Sequence, residues 1–449
     1  MRATFSEVSK RRKFGMVVNE AIRYFRVTPQ IVPADRETEI TIRSLDPKNG
    51  FQNGKKYRLR YFAVDRSGTL PAPLWREMEV VAAERAITFT QCFCGEQEHY
   101  VDIEGIDVTK NLRFSIYSLE EDLFGKIPMK GDFHMHSNNS DGADYAPHIP
   151  AMCRKIGFDF MALTDHRQYA PSLEAIAAYE DAAVDLIMMP GEEVHPDGNN
   201  VHMINFGGRI SINDFMREHP EVYRKEVQDI LQTEESLREV TGMGREICAS
   251  CIWCFRKIRE NGGLGIFCHP YWYIPEGCQD LKEVNEYLFR HTPQDAEELV
   301  GGYFKDQTFS NDLEIARFLQ SYWEGNKRGI VGVSDAHSTE NGELFGWYYT
   351  IVFADEAGGS AVIDAVKNRR SVAVMQLPGE TMHIYGDFRL VKYAQFLAAN
   401  YFPLHDEMCA EEGYLMYRYW SGGKDPRAAE MLRLIKGQTG EYYKTVFGK

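Results

Sequence analysis

Between residues 130 and 338 the sequence repeatedly ends a short apolar run on an imidazole or a carboxylate, and this feature narrows the choice of fold more than any other. The runs are GDFHMH, FDFMALT, VDLIMMP, VHMINF, GLGIFC, AEELVGGY and RGIVGVS, each bounded by turn-forming or polar residues. Stretches with helical spacing lie between several of them, over 146–156, 173–183, 213–239, 245–260 and 312–324. Strands alternating with helices predict a parallel α/β sheet, open or closed into a barrel.

Six of the 13 histidines fall at or just beyond the ends of these runs. His134 and His136 are two apart on the first, so their side chains share one side of the strand. Asp141 follows in the turn SNNSDG. Asp165 and His166 close the second run, Glu192 and Glu193 the third, and His202 lies on the fourth. His269 follows the fifth, and Asp335 and His337 follow the seventh. In α/β barrels, residues from different strands converge at this end of the sheet. A single HxH or DxH is an ordinary strand feature. So many such groups brought together would suffer severe desolvation and mutual repulsion unless cations neutralised them. A mixed set of imidazoles and carboxylates suits Zn²⁺, Mn²⁺ or Fe²⁺ better than Ca²⁺ or Mg²⁺ alone, so a multinuclear metal centre is expected.

These motifs, in this order, resemble the PHP (polymerase and histidinol phosphatase) superfamily of metal-dependent phosphoesterases over roughly residues 130–380. GDFHMHSNNSDG looks like the first motif, ALTDH the second and PGEEVHPDGNNVHMINF the third, while GLGIFCHPYW and GVSDAHS supply the remainder. The resemblance implies a distorted (β/α)7 barrel and three divalent ions, with zinc, manganese and iron the candidates. It assigns His134, His136, Glu193 and Asp335 to the first ion. Glu193 bridges to a second, completed by His202 and His269, and Asp141, His166 and His337 hold the third. It further implies a hydroxide shared by the ions as nucleophile, with Glu193 as the bridging catalytic carboxylate. The doubled acid after Gly191 is a departure. The family spacing selects Glu193, which leaves Glu192 facing the other way. Arg167, directly after His166, is a second departure, since many relatives carry a small or acidic residue there. Asp165 is the neighbouring candidate for acid catalysis and equally a candidate for supporting the barrel.

Substrate contact falls to Arg167, which could clamp a phosphate bidentately, and to Tyr271 and Trp272, which could stack on a base or sugar. The competing readings are a surface ion pair for Arg167 and packing for the two aromatics. His195 reads as a supporting or surface residue. Cys248, Cys251 and Cys254 lie at helical spacing with Ile247, Phe255 and Ile258 and read as small buried residues of a helix face, not a cluster ligand run.

The first 125 residues differ in rhythm. TEITIRSL, KKYRLRYFAVD, WREMEVV, AITFTQCF and NLRFSIYSL, separated by DPKNGFQNG and DRSG, predict a β-sandwich of immunoglobulin-like type. His99 near Cys92 and Cys94 lacks a fourth ligand for zinc. Residues 385–449 read as helices. The expected organisation is therefore a β-rich domain over 1–125, a metal-dependent hydrolase barrel over 126–384 and a helical extension over 385–449.

The expected function is hydrolysis of a phosphate ester of a small metabolite or nucleotide. Exonuclease-type cleavage of short oligonucleotides is the alternative, and a non-catalytic interaction module the third. With a net charge of −15, a sequence-independent grip on long nucleic acid is not expected, because phosphate binding is chiefly a Lys/Arg effect. No apolar run is long enough to span a membrane and the basic N-terminus lacks the apolar core of a secretory signal, so a cytoplasmic location is expected. A homo-oligomer is compatible with the chain.

Overall fold

The structure, a computed structural model, describes residues 20–449 except 47–49, 66–75, 108–109 and 341–342. The chain divides into two compact units. One comprises Ile127–Leu390 with Cys409–Lys436; the other comprises the described part of Met16–Lys126 with Val391–Met408 and Gly437–Lys449. Among the described residues no helix is long and apolar enough to cross a membrane.

The β-rich unit holds a three-stranded sheet (Phe25–Thr28, Glu37–Ser44, Ala86–Cys92) and a five-stranded one. The second runs in the order Ile31–Pro33, Lys110–Leu119, Gln97–Asp107, Lys56–Ala63, Arg76–Val81. Alternation places Ile40, Ile42 and Phe89 of the first sheet in one core with Leu59, Val101, Ile103 and Ile116 of the second. His99 is fully buried and engaged by hydroxyls, Tyr61 Oη at 2.9 Å from Nδ1 and Ser118 Oγ at 2.7 Å from Nε2. Burial pushes it down to about 4, so it sits as a neutral core imidazole.

The larger unit contains two mixed sheets. The six-stranded sheet runs Ile187–Met189, Phe160–Ala162, Ile127–Asp132, Tyr348–Ala354, Ser371–Met375, His383–Tyr385. The five-stranded sheet runs Gly191–Val194, Met203–Phe206, Leu264–Phe267, Ala296–Gly301, Gly329–Val333. Phe133 and Phe160 share one apolar core with Ile204, Phe206, Leu264, Val331 and Val333; the Phe133 ring lies 4.6 Å from that of Phe206.

Parallel pairing holds for Phe160–Ala162 with both neighbours and along Leu264–Phe267, Ala296–Gly301 and Gly329–Val333. The wholly parallel expectation fails elsewhere. Gly191–Val194, Met203–Phe206 and Leu264–Phe267 are successively antiparallel, and Tyr348–Ala354 is antiparallel to both neighbours. The connection from Val194 to Met203 is too short to carry a crossover, which needs about a dozen residues.

The helix expected over 213–239 is broken into Ile212–Glu218 and Pro220–Thr233, because proline at 220 cannot donate into a continuing helix. Helix Gly242–Glu260 buries Cys248, Cys251 and Cys254 beside Trp253, and burial pushes all three thiols up. The C-terminal residues form four helices, Phe388–Asn400, Phe402–Ser421, Pro426–Ile435 and Gln438–Phe447. Arg154, fully buried, ties the second of these to the sheet layer through Glu412 (2.7 Å) and Asp159 (2.9 Å).

Candidate metal centre

Backbone pairing continues past the ends of the strands and joins the two sheets at two seams. Along one, Met135 bridges Ala336, with Asp335 N donating to His134 O (3.0 Å) and His136 N to Ala336 O (2.9 Å). Along the other, His166 bridges Glu193, with Glu193 N donating to Asp165 O (3.2 Å) and Arg167 N to Glu193 O (2.9 Å). The motifs distant in sequence meet on these seams. Three non-glycine residues of the region have positive φ: His269 (24°), Asp335 (50°) and Arg167 (58°). Such strained backbone concentrates at functional sites.

Glu193 is at the centre and shut off from solvent. Its Oε1 lies 2.8 Å from His202 Nδ1 and 3.6 Å from both His134 Nε2 and His269 Nε2. Its Oε2 lies 3.2 Å from His195 Nε2 and 3.7 Å from His136 Nε2, and it also contacts His166 Nδ1. Neither oxygen accepts a well-formed hydrogen bond, and neither does His136 Nδ1 have a partner. Buried polar atoms are normally satisfied, so these three, facing a ring of imidazoles, fit a cation better than an empty polar pocket.

Asp335 Oδ1 adjoins the same nest, 3.0 Å from His136 Nε2 and 3.2 Å from His134 Nε2. Asp141 lies further out, 56% exposed, at 3.3 Å from His337 Nε2 and 3.4 Å from His166 Nε2. In this nest, ligand atoms approach closely enough to share an ion in groupings that include His134, His136 and Asp335; His136, Asp141, His166 and His337; His166, Glu193, His195 and His202; and His134, Glu193 and Cys268.

The electrostatics follow from this crowding. Burial alone would raise Glu193, but the imidazoles of His202 and His134 hold its carboxyl well below the usual range. Asp335 is likewise held low against burial, by His134 and His136. Burial opposes a proton on His166, yet Glu193 raises it to about 9, whereas burial wins at His202 and takes it down to about 4.

A second layer fixes the donors. Glu298 accepts from His134 Nδ1 (2.7 Å) and from His269 N (2.9 Å). Gln279 Nε2 lies 3.1 Å from His202 Nε2. Asp165 accepts from Ser137 N (2.8 Å), Ser137 Oγ (2.7 Å) and Ser140 Oγ (2.6 Å), which clasps the turn carrying Asp141. That turn lies tightly on the seam, because a Cβ on Gly142 would come within 2.5 Å of His136 O. Glu192 points away from Glu193 and accepts from Asn205 Nδ2, Ser211 Oγ and Asn213 Nδ2.

The nine expected ligands therefore come together in space. Asp165 is beside them with both oxygens engaged by the turn. Arg167 is at the rim, more than half exposed, with Asp197 3.9 Å away. The Trp272 ring lies 5.4 Å from that of His269 and 6.3 Å from that of His202, whereas Tyr271 packs against the helical cluster near Phe289. Sequence reasoning missed Glu298 and placed His195 outside the nest. The signal for Glu298 was present: two adjacent glutamates in the fully buried strand Ala296–Gly301 each need a partner. Glu297 finds Arg328 on one face, and Glu298 finds His134 on the other.

No protein-family model matches the chain. A stretch of 62 residues is 40% identical to the DNA polymerase/3′-5′ exonuclease PolX of Bacillus subtilis, spanning 14% of this chain and 11% of that enzyme. A Bacteroides vulgatus two-domain protein, described as containing a predicted PHP-like metal-dependent phosphoesterase, is 19% identical with a TM-score of 0.39; the match covers 57% of this chain and 66% of that one. A Bifidobacterium adolescentis protein assigned as a metal-dependent phosphoesterase is 16% identical with a TM-score of 0.33, over 48% of this chain and 90% of that one.

Proposed function

We propose that the chain is a metal-dependent hydrolase that cleaves a phosphate ester of a small metabolite or nucleotide. In this reading the two mixed sheets are the halves of a distorted (β/α)7 barrel over 126–384. In the same reading the described part of 1–125 belongs to an immunoglobulin-like sandwich and 385–449 to a helical extension. The observation that carries the proposal is the pair of unsatisfied Glu193 oxygens enclosed by imidazoles.

Three ions would be held as the motifs imply: the first by His134, His136, Glu193 and Asp335, the second by Glu193, His202 and His269, the third by Asp141, His166 and His337. Divalent ions there supply Lewis acidity, lowering the pKa of water toward about 7 and offsetting charge on phosphate oxygens. The chain's own residues do the rest. Glu193 places one carboxylate between two groups of imidazoles. Glu298 fixes the ring of His134 so that Nε2 faces inward. Asp165 serves as a positioning residue for the Asp141 turn. Trp272 flanks the nest where a base or sugar would lie, and Arg167 stands at the rim where a phosphate would arrive.

The test is phosphate release with added Mn²⁺ across nucleoside mono- and bisphosphates, sugar phosphates, histidinol phosphate and short oligonucleotides. Turnover by one group, abolished by EDTA and by Glu193→Ala, is expected. Activity on oligonucleotides alone would move the reading to an exonuclease-type phosphodiesterase. Silence across the panel would overturn it in favour of a different hydrolysis or an interaction module.

A further inference from the structure

We infer that His195 is itself a metal ligand, joining Glu193 and His202 at the second ion of that reading, with His166 alongside. This inference rests on the metal-dependent reading above and adds a residue which that reading leaves out. Its motif neighbours predicted a supporting or surface position, but the structure turns the ring inward. Nε2 lies 3.2 Å from Glu193 Oε2 and 3.0 Å from His166 Nδ1, and the ring centroid is 3.9 Å from that of His202. The side chain is about nine-tenths buried.

One arrangement favours coordination over a hydrogen-bonded cluster. The nitrogens of His166 and His195 face each other at 3.0 Å while both also face Glu193 Oε2, which lies 3.2 Å from His195 Nε2. A single proton between them satisfies one contact and leaves the other lone pair against lone pair, whereas a cation satisfies all three groups.

The backbone is built to keep the ring there. His195 N donates to Asn213 Oδ1 (3.1 Å), and Asn213 Nδ2 donates to Glu193 O (3.0 Å) and Glu192 Oε2 (2.9 Å). The buried Glu192 carboxylate thus anchors the asparagine that fixes both Glu193 and His195. The doubled acid of this chain gains a structural purpose from that link.

The experiment reads metal binding directly. Ion-free full-length protein is titrated with Co²⁺ against a competing chelator, following visible absorption and bound equivalents. His195→Ala is expected to weaken one ion by about 100-fold or more, beyond the roughly 10–100-fold cost of losing an outer partner, with the d–d spectrum changed. His195→Cys is expected to retain that ion and to show a sulfur-to-cobalt charge-transfer band, which arises only if the side chain at this position is coordinated. Wild-type affinity and spectrum in His195→Ala, with no such band in His195→Cys, would overturn the inference and leave the phosphoesterase reading intact. A wild-type protein that binds no divalent ion would overturn both.

Discussion

His134 Nδ1 donates to Glu298 Oε1 across 2.7 Å, both side chains shut off from solvent, and the same carboxylate accepts from His269 N through its other oxygen. One glutamate thus sets two donors of the nest. Carboxylates in this position fix the tautomer and raise ligand basicity. Glu298→Gln is expected to keep the fold and to weaken metal binding by about 10–100-fold, read by chelator competition on ion-free protein. Unchanged affinity would show that Glu298 does no more than fill the strand.

The Asp141 side should be separable from the Glu193 side. Asp141→Ala removes a carboxylate that faces His166 and His337 and is more exposed than either imidazole. It is expected to lose the outermost ion while the ions around Glu193 remain bound. Asp165→Ala should imitate it at a distance, since the Ser137 and Ser140 contacts that hold the turn would be gone. Bound equivalents by elemental analysis check both variants. Loss of every ion in Asp141→Ala would refute separate sites.

Ion uptake should depend on pH in a defined direction. Burial opposes a proton on His166, but Glu193 raises its pKa to about 9, so the ion-free site holds that proton at neutral pH. A coordinating imidazole must be neutral, so binding expels the proton and tightens as pH rises. With one proton displaced, affinity should increase up to about tenfold per pH unit and level off above about 9. Isothermal titration in two buffers of different ionisation enthalpy counts the proton released near neutrality. No release would contradict the charge state assigned to the empty nest.

Arg154 offers a test of the scaffold away from the chemistry. Its guanidinium is buried between Asp159 and Glu412. Arg154→Met leaves both carboxylates without their cation, a change that costs about 3–5 kcal/mol for buried pairs. Urea denaturation should show it, and Arg154→Met with Glu412→Leu should recover part of the loss.

The nest was legible in the sequence because its donors sit at the ends of apolar runs, where strand geometry alone makes side chains converge. His134, His136, His166, His202, His269 and His337 were all visible in that way. His195 was not, because it follows Val194 in a loop, and its inward turn depends on Asn213, eighteen positions later. Tyr348–Ala354 escaped as a strand because it is buried along its whole length and shows no alternation. The antiparallel pairs escaped because apolar runs carry no direction; only the short connection after Val194 hinted at one.

The seam between Met135 and Ala336 has a consequence for the order of events during synthesis. His136 and Asp335 are 199 positions apart, so the first imidazoles leave the ribosome long before their carboxylate partner exists. No fragment ending before Asp335 contains the whole grouping of His134, His136 and Asp335. The contact between His136 and Asp335 can close only after the strand Gly329–Val333 has been made, so a truncated polypeptide ending before Asp335 would lack the seam that faces His134 and His136.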